Sequence, residues 1–158
     1  MIETTRCELT TLQSCDRDLV VRLYTNAEVR RFLGGVIDGQ SIRLRFLRML
    51  KPDTETQRWV IRIKNNNSSI GIVSLGKHHN NIDTEISYQL MPEWWGKGYG
   101  TEATKAVVTY GLTVLSLPRI IAETQIGNIA SCRLLERIGM RREQTVERFG
   151  AKQGIFTT

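Results

Sequence analysis

The sequence predicts a mixed α/β domain in which an antiparallel meander forms half of the sheet. Two segments, 57–64 and 82–90, alternate apolar and polar residues with the period of two that a half-buried strand requires. A glycine-rich segment comes next and leads into a strongly patterned helix, after which a strand, a helix and a hairpin are expected. This order of strands and helices fits one domain that spans residues 1–158.

The N-terminal part of the chain predicts a strand and then a helical region. A short strand is expected at 7–12, and Ser14 or Asp16 can cap the helix that follows, because both side chains accept hydrogen bonds from backbone amides. Gly34 and Gly35 are expected to close this helical region.

A second helix is expected to begin at Ser41 and to end at Pro52, with apolar residues at helical spacing. Arg45 and Arg48 fall on its opposite side. Such a basic face is usually solvated surface, and a role in lining a substrate site is the alternative.

Strands at 57–64, 70–75 and 82–90 are expected to form an antiparallel meander. The adjacent histidines His78 and His79 fall in the turn before the third strand. Neighbouring side chains on a strand or turn point apart, and no third ligand is suitably spaced. We therefore expect loop surface at the histidines and no metal site.

The C-terminal part predicts a helix, a strand, another helix and a closing hairpin. Pro118 follows the first of these helices, and the strand is expected at 119–125. Asn128 is placed to cap the next helix, and Gly139 is placed to end it. The hairpin is expected at 140–158.

The composition indicates a folded protein in a reducing compartment. Lys and Arg outnumber Asp and Glu by 22 to 16, and the formal net charge of +6 favours anionic ligands such as nucleotides, acidic peptides or nucleic acids. The three cysteines form no C-x-x-C pair, so neither a disulfide framework nor a zinc site is indicated. No signal peptide or membrane-spanning run is recognisable, and we expect a cytoplasmic protein without a membrane partner.

The segment 94–101 carries the clearest chemical information. Its three alternating glycines remove side chains where a backbone has to approach a ligand closely. At the start of the following helix, outward-pointing amides and the helix dipole favour a phosphate or pyrophosphate. The amides expected to do this are those of Gly98, Tyr99, Gly100 and Thr101. Lys97 can add a charge beside them, and a connector that needs glycines only for turn geometry is the alternative.

Two other phosphate-binding patterns fit this segment less well. A Walker A loop requires a Gly-Lys-Ser/Thr ending, which is absent. A dinucleotide-binding fold finds some support in Gly96-x-Gly98 and in Glu123, which stands about where a ribose-binding acid falls. Residues 91–95 intervene where that fold needs a tight turn, and too little chain follows to build its second half. Dinucleotide binding is therefore a distant alternative.

Several further segments accompany the glycines, and together they are far more specific than a glycine triplet. They are Thr5-Arg6, 26–29, 32–35, 85–88, 128–131 and 135–140. At these residues the chain resembles the GNAT superfamily of coenzyme A-dependent N-acyltransferases, especially its branch typified by the ribosomal-protein N-terminal acetyltransferases RimJ and RimL. In the superfamily motif Gln/Arg-x-x-Gly-x-Gly/Ala, Gly98 and Gly100 hold the glycine positions. Trp95 holds the first position, a departure from the broad motif that is familiar in this branch.

The resemblance implies a GNAT fold, in which a twisted, mostly antiparallel sheet of about six to seven strands carries helices on both faces. It also implies that the strand ending at Leu90 splays from the strand at 119–125, and that acetyl-CoA binds in the opening as a cosubstrate. Backbone groups near Leu90 and the side chain of Asn128 would hold the pantetheine arm. The other cofactor-binding residues that the resemblance implies are Trp95, Gly96, Lys97, Gly98, Tyr99, Gly100 and Thr101.

Transfer from a thioester to an amine requires a neutral nitrogen, so a base or a chain of waters has to remove a proton. Glu85 lies on the polar side of its strand, near the position of a catalytic glutamate in parts of the superfamily, and is our candidate base. Ser131 matches a serine suggested as a proton donor to the thiolate in the RimL-like branch. The alternatives are a structurally paired carboxylate for Glu85 and local backbone bonding for Ser131. No metal is expected.

The sequence does not identify the acceptor amine. An α-amine has a pKa of roughly 7.7 to 8.0 against about 10.4 for lysine, so protein N-termini are suitable acceptors, and members of the branch also modify small amines. The net charge of +6 argues against polycationic acceptors. Nucleic acid is not expected as a substrate because no alternating basic and aromatic platform is present. A homodimer is among the expected partners, and a module that binds coenzyme A or nucleic acid without catalysis is the alternative function.

Overall fold

Eight strands form one sheet in the computed structural model, which describes residues 1–158. The strands are β1 (Ile2–Glu3), β2 (Cys7–Thr11), β3 (Gln57–Ile63), β4 (Ser69–Lys77), β5 (Thr84–Leu90), β6 (Ile120–Gln125), β7 (Arg141–Arg148) and β8 (Ala151–Thr157). Their order across the sheet is β1-β2-β3-β4-β5-β6-β8-β7, and every neighbouring pair is antiparallel except β5 and β6. The mixed α/β class and the mostly antiparallel sheet are therefore confirmed.

The sheet has one strand more than the six to seven expected, because two residues at the N-terminus pair with β2. Ile2 lies opposite Leu9, and Glu3 lies opposite Glu8. A strand of two residues has no detectable periodicity in the sequence, so only its partner strand reveals it.

Five helices accompany the sheet. They are α1 (Arg17–Thr25), α2 (Ala27–Arg30), α3 (Gly39–Met49), α4 (Tyr99–Thr113) and α5 (Ile129–Arg137). None of them combines the length and the apolar character needed to cross a membrane.

The helix predicted to start at Ser41 begins two residues earlier, because Asp38 caps it. The Asp38 carboxylate accepts hydrogen bonds from the amides of Gln40 and Ser41 at 3.1 and 2.9 Å. Asp16 precedes α1, as expected, but its side chain makes no capping hydrogen bond to that helix. Its carboxylate instead contacts the sheet.

The helices cover both faces of the sheet, as expected, and create two apolar cores. α1 and α3 pack around Val60 and Ile72 on one face, whereas α4 and α5 pack around Ile61 and Val73 on the other. Successive residues of β3 and β4 thus alternate between the cores, which is the period of two seen in the sequence. Each fully buried aliphatic side chain contributes roughly 1.5–3 kcal/mol, so burial on both faces holds the helices to the sheet.

A buried polar network fastens the start of α1 to the sheet. The Asp16 side chain is 2% exposed and pairs with Arg62 at 2.5 Å. Arg62 Nε also donates to Thr10 Oγ1 at 3.0 Å, and Asp16 accepts from the backbone amide of Gln13 at 2.9 Å. Removing one partner of such a buried pair typically costs about 3–5 kcal/mol. The network therefore fixes α1 over β2 and β3.

The parallel strands β5 and β6 pair over two residues only. Thr84 lies opposite Ile120, and Glu85 lies opposite Ile121. Beyond these pairs β5 continues beside β4, and β6 continues beside β8. The two strands therefore separate toward their C-terminal ends, as the resemblance implied.

We predict that Gly71→Ala lowers the free energy of unfolding by about 1–3 kcal/mol, because the added methyl group overpacks the sheet. A β-carbon at Gly71 would lie 2.4 Å from the carbonyl oxygen of Gln89 and 2.9 Å from Cγ of Leu90, so the backbone of β5 has to move. Chemical denaturation followed by circular dichroism measures the change.

The matched control is Gly39→Ala at the start of α3, where a β-carbon meets nothing within 4 Å. This variant should leave the free energy of unfolding unchanged or raise it by up to about 1 kcal/mol, since alanine favours helices over glycine. Equal unfolding free energies for the two variants would contradict the close packing at Gly71.

Candidate active site

A cleft of about 1410 Å³ opens where β5 and β6 separate. Its walls come from β3 to β6, from the turn before α4, from α5 and from the helices α1 to α3. The predicted site residues that line the cleft are Glu85, Leu90, Trp95, Gly96, Gly98, Gly100, Thr101, Asn128 and Ser131. Lys97 and Tyr99 do not line it. The structure thus gathers most of the predicted residues around one opening.

The amides of residues 96–101 donate to no protein acceptor. The preceding amide, that of Trp95, donates to the carbonyl of Pro92, and the first helical hydrogen bond of α4 runs from Glu102 to Gly98. Gly96 and Gly98 have φ angles of 71° and 82°, a left-handed conformation that glycine adopts without strain. A run of free amides at the start of a 15-residue helix is a favourable site for an anion.

Two side chains of the glycine turn are used by the turn itself. Lys97 Nζ donates to the carbonyl of Glu93 at 2.7 Å and lies 5.1 Å from the Trp94 ring centroid. Its ammonium is therefore held on the turn. Lys97 does not line the cleft, although it was expected to add a charge beside the amides. The indole of Trp95 donates to the carbonyl of Leu90 at 2.8 Å, so this backbone acceptor already has a partner.

Arg6 braces the glycine turn from the N-terminal segment, a role that the sequence did not suggest. Its Nη1 donates to the carbonyl of Lys97 at 3.0 Å, and its Nε lies 2.7 Å from a carboxylate oxygen of Glu102. The guanidinium also lies 4.3 Å from the ring centroid of Tyr99. Tyr99 therefore supports the turn by stacking on Arg6, which explains why its side chain does not line the cleft.

Glu85 lies at the last residue pair before the strands part. Burial raises the pKa of Glu85 above its ordinary value; the nearby His78 opposes this rise, and Glu123 adds to it. A carboxylate whose pKa is raised in this way is a stronger base than an exposed one, and it remains in contact with the cleft.

Tyr88 contacts Ser131 across the cleft and was given no role from the sequence. The Tyr88 hydroxyl lies 2.7 Å from Ser131 Oγ. Burial raises the pKa of Tyr88 to about 12, so the phenol stays protonated at neutral pH. Because Tyr88 is three residues after Glu85, the two side chains point to opposite faces of β5. The alternation of the strand was the one signal that could have placed Tyr88 beside α5.

Asn128 caps α5, as the sequence predicted. Its Oδ1 accepts a hydrogen bond from the backbone amide of Ser131 at 3.2 Å. The side-chain nitrogen of Asn128 donates to no protein group, so it is available to a ligand in the cleft.

His78 and His79 lie against Glu123, and the prediction that they form loop surface is wrong for His78. The His78 side chain is 3% exposed, and its Nε2 lies 2.7 Å from Glu123 Oε2. The two imidazole ring centroids lie 3.8 Å apart, so the side chains do not point apart as expected. The reason is a long-range contact, since a carboxylate on β6 supplies a partner that sequence spacing does not reveal.

The ligand atoms of His78, His79 and Glu123 lie within 4.8 Å of one another, a spacing that a metal ion could use. Arg148 already brings a cation to this cluster. Its Nε lies 3.0 Å from Glu123 Oε1, and its guanidinium contacts the His79 ring. That no metal takes part in the chemistry stays a prediction.

The chain matches a known domain over most of its length. Residues 6–141 match the model of the acetyltransferase (GNAT) domain. The uncharacterized N-acetyltransferase YoaA of Bacillus subtilis is 28% identical over an alignment of 161 positions, which covers 98% of this chain and 90% of YoaA. The uncharacterized N-acetyltransferase p20 of Bacillus licheniformis is 26% identical over 156 residues, which cover 96% of this chain and 88% of p20.

Solved structures have the same fold. An acetyltransferase of the GNAT family from Bacillus anthracis has a TM-score of 0.86 at 24% identity, covering 99% of this chain and 96% of the other. Spermidine N-acetyltransferase from Vibrio cholerae, in complex with CoA and spermine, has a TM-score of 0.85 at 18% identity, covering 98% and 95%. From the domain match and the relatives, we conclude that this chain is an acetyltransferase enzyme and belongs to the GNAT family.

Proposed function

We propose that this chain is an acetyl-CoA-dependent N-acetyltransferase of the RimJ/RimL-like branch. The acceptor amine attacks the acetyl group directly in a ternary complex, without a covalent enzyme intermediate. The observation that carries the proposal is the run of amides at 96–101, which donate to no protein acceptor and border a cleft that also contains Glu85. Bound acetyl-CoA would supply an acetyl thioester, and the residues of the chain would bind it and move protons.

The turn before α4 suits the pyrophosphate of coenzyme A without a basic side chain. The amides at 96–101 and the dipole of α4 would hold the negative charge. Asn128 would donate its free side-chain nitrogen to the pantetheine arm. Since Trp95 already bonds the carbonyl of Leu90, other backbone groups of β5 and β6 would contact that arm.

Glu85 would accept the proton of the acceptor amine, directly or through a water. Its raised pKa supports this role, because a base works best when its pKa lies close to the working pH. Its position at the parting of β5 and β6 places the carboxylate beside the opening where the two substrates would meet.

Ser131 and Tyr88 would supply a proton on the other side of the opening. The protonated phenol of Tyr88 can donate to Ser131 Oγ, which leaves the serine hydroxyl free to donate to the sulfur of the leaving group. Tyr88 is thus a positioning residue that acts through Ser131.

The acceptor is proposed to be a primary amine, either a protein N-terminus or a small molecule. The Vibrio cholerae enzyme of the same fold is named for spermidine, which supports a small amine. Release of free thiol from acetyl-CoA, measured over a panel of amines, tests the activity. A module that binds coenzyme A without catalysis would release none.

That residues 1–158 act as one domain, and that the chain forms a homodimer, stay predictions.

We predict that Gly96→Asp weakens coenzyme A binding about fivefold to tenfold relative to Gly96→Asn. Both side chains tolerate the left-handed backbone, and a β-carbon there meets nothing within 4 Å, so the two variants differ mainly in charge. A unit charge about 4 Å from a phosphate is worth about 1 kcal/mol in water. Calorimetry at low and high salt measures the difference, which salt should reduce. Equal dissociation constants would contradict the pyrophosphate assignment.

We predict that Glu85→Gln lowers kcat by about 10²–10⁴-fold near neutral pH and preserves coenzyme A affinity, because the amide keeps the shape and loses the basicity. The deficit should shrink as the pH rises, since more of the acceptor amine is then already neutral. Thiol release across the pH range measures both effects. Glu55→Gln, which lies outside the cleft, is the control. Wild-type turnover of Glu85→Gln at every pH would remove Glu85 from the mechanism.

The stability of Glu85→Gln provides a check that does not depend on turnover. Because the pKa of Glu85 is raised in the folded protein, the folded state binds this proton more tightly than the unfolded chain. Wild-type stability is therefore lost as the pH rises from the ordinary pKa through the raised one, and the uncharged glutamine avoids this loss. The unfolding temperature of Glu85→Gln minus that of wild type should therefore increase as the pH rises through that range. A difference that is constant with pH would contradict the raised pKa.

We predict that Ser131→Ala lowers kcat by about 10²-fold and that the deficit persists at high pH, because neutralising the amine does not help the sulfur to leave. Tyr88→Phe should produce a smaller deficit with the same pH dependence. Since both act through one hydrogen bond, the double variant should be barely slower than Ser131→Ala. Tyr110→Phe on α4 is the control. If the losses in kcat of the two single variants add fully in the double variant, Tyr88 does not act through Ser131.

A further inference from the structure

Three side chains from different helices form a cationic cluster in the wall of the cleft. Tyr24 of α1, Arg30 at the end of α2 and Arg45 of α3 all line the cleft. The guanidinium carbon of Arg30 lies 5.0 Å from the Tyr24 ring centroid, and that of Arg45 lies 5.4 Å from it. Two positive charges therefore share one aromatic ring, and we call these three residues the arginine cluster.

Arg30 is buried without a carboxylate partner. The residue is 8% exposed, and it forms no ion pair within 4.0 Å. Its Nε donates to the carbonyl of Gly35 at 2.9 Å and its Nη2 to that of Leu33, whereas Nη1 donates to no protein group. Buried charges in proteins are usually paired, because taking a charge out of water is costly. Burial lowers the pKa of Arg30; Tyr24 opposes this effect, and Arg45 adds to it.

The other charges of the cleft do not neutralise the cluster. Arg45 forms no ion pair, and Arg58 pairs only with Asp53, at 3.4 Å. Seven basic and three acidic side chains line the cleft, and none of the three acidic ones pairs with Arg30 or Arg45. The acidic residues are Glu28, Glu85 and Glu123. The wall formed by α1 to α3 therefore favours negative charge.

The arginine cluster faces the same side of the sheet as Glu85. α1 and α3 pack on the face that carries Ile72, and Ile72 lies opposite Gln89 on β5. Glu85, Ser87 and Gln89 alternate with Tyr88 and therefore share that face. Gln89 Oε1 is buried and accepts no hydrogen bond from the protein. A molecule in this part of the cleft would meet a polar floor that contains the proposed base and a wall that contains two arginines.

We infer that the acceptor is an amine that also carries an anionic group, a carboxylate or a phosphate, which the arginine cluster binds while the amine lies near Glu85. This inference rests on the proposed function and names the class of its acceptor. A guanidinium presents several N–H donors in one plane and matches both anions. A polyamine would bring further positive charge to two arginines that have no carboxylate partner, so it fits this wall poorly.

The test compares anionic amines with neutral counterparts and with a polyamine. Thiol release is measured with β-alanine against β-alaninamide, with γ-aminobutyrate against its amide, with O-phosphoethanolamine against ethanolamine, and with spermidine. Within each pair the anionic member should have the higher kcat/KM, by about tenfold or more, since hydrogen bonds between oppositely charged groups are roughly twice as strong as those between neutral groups. Added salt should reduce the advantage. The carboxylate and phosphate pairs distinguish the two anions.

Arg45→Gln should abolish the preference by raising KM for the anionic acceptors only. Arg48→Gln on the same helix, outside the cleft lining, is the control and should keep it. Arg45→Glu should reverse the preference toward spermidine. If neutral or cationic amines are acetylated as well as anionic ones, or if the ratio is unchanged in both Arg45 variants, the inference is wrong and the proposed function survives. If no amine in this panel and no peptide N-terminus releases thiol, both are wrong; release with neutral peptide N-termini alone contradicts the inference only.

Discussion

The separation of β5 and β6 after two residue pairs is the constraint on which the rest of the site depends. Each strand keeps its outer neighbour, β4 or β8, so the sheet stays continuous while an opening forms within it. Backbone N–H and C=O groups that face the opening cannot pair with each other, and leaving them unpaired away from water is costly. The indole of Trp95 satisfies one of them, the carbonyl of Leu90. The remaining groups offer hydrogen bonds to an extended ligand, much as an exposed strand edge does.

The same strand distributes the proposed chemistry between the two faces of the sheet. Glu85 faces the side covered by α1 and α3, whereas Tyr88 reaches Ser131 of α5 on the other side. Side chains of one strand alternate, so a group that accepts a proton and a group that helps to donate one can lie three residues apart without neutralising each other. An amine and a thioester that meet in the opening would therefore find base and acid on opposite sides. The rigid pairing of β5 with β4 keeps both groups in place.

Local patterns in the sequence predicted the elements well, and long-range contacts account for what they missed. The alternation of apolar and polar residues predicted the meander, and the spacing of the glycines predicted the turn before α4. Both patterns depend only on residues that are close in the sequence. The burial of His78 depends on Glu123, which lies 45 residues away in the chain. The bracing of the turn by Arg6 spans 91 residues to the carbonyl of Lys97. Lys97 itself was expected beside the amides, but a backbone carbonyl four residues earlier holds its ammonium.

The position of Lys97 bears on how the net charge of +6 is used. In the sequence, the excess of basic residues favours anionic ligands in general, and Lys97 was expected to add a charge beside the phosphate-binding amides. In the folded chain, the turn presents backbone amides and a helix dipole, which can bind phosphate without a basic side chain, and its one lysine is engaged elsewhere. The unpaired arginines, Arg30 and Arg45, belong instead to α2 and α3, on the face that carries Glu85. If the amides bind the pyrophosphate as proposed, they need no basic side chain, and the charge of these arginines would then act on the second substrate, as we infer above.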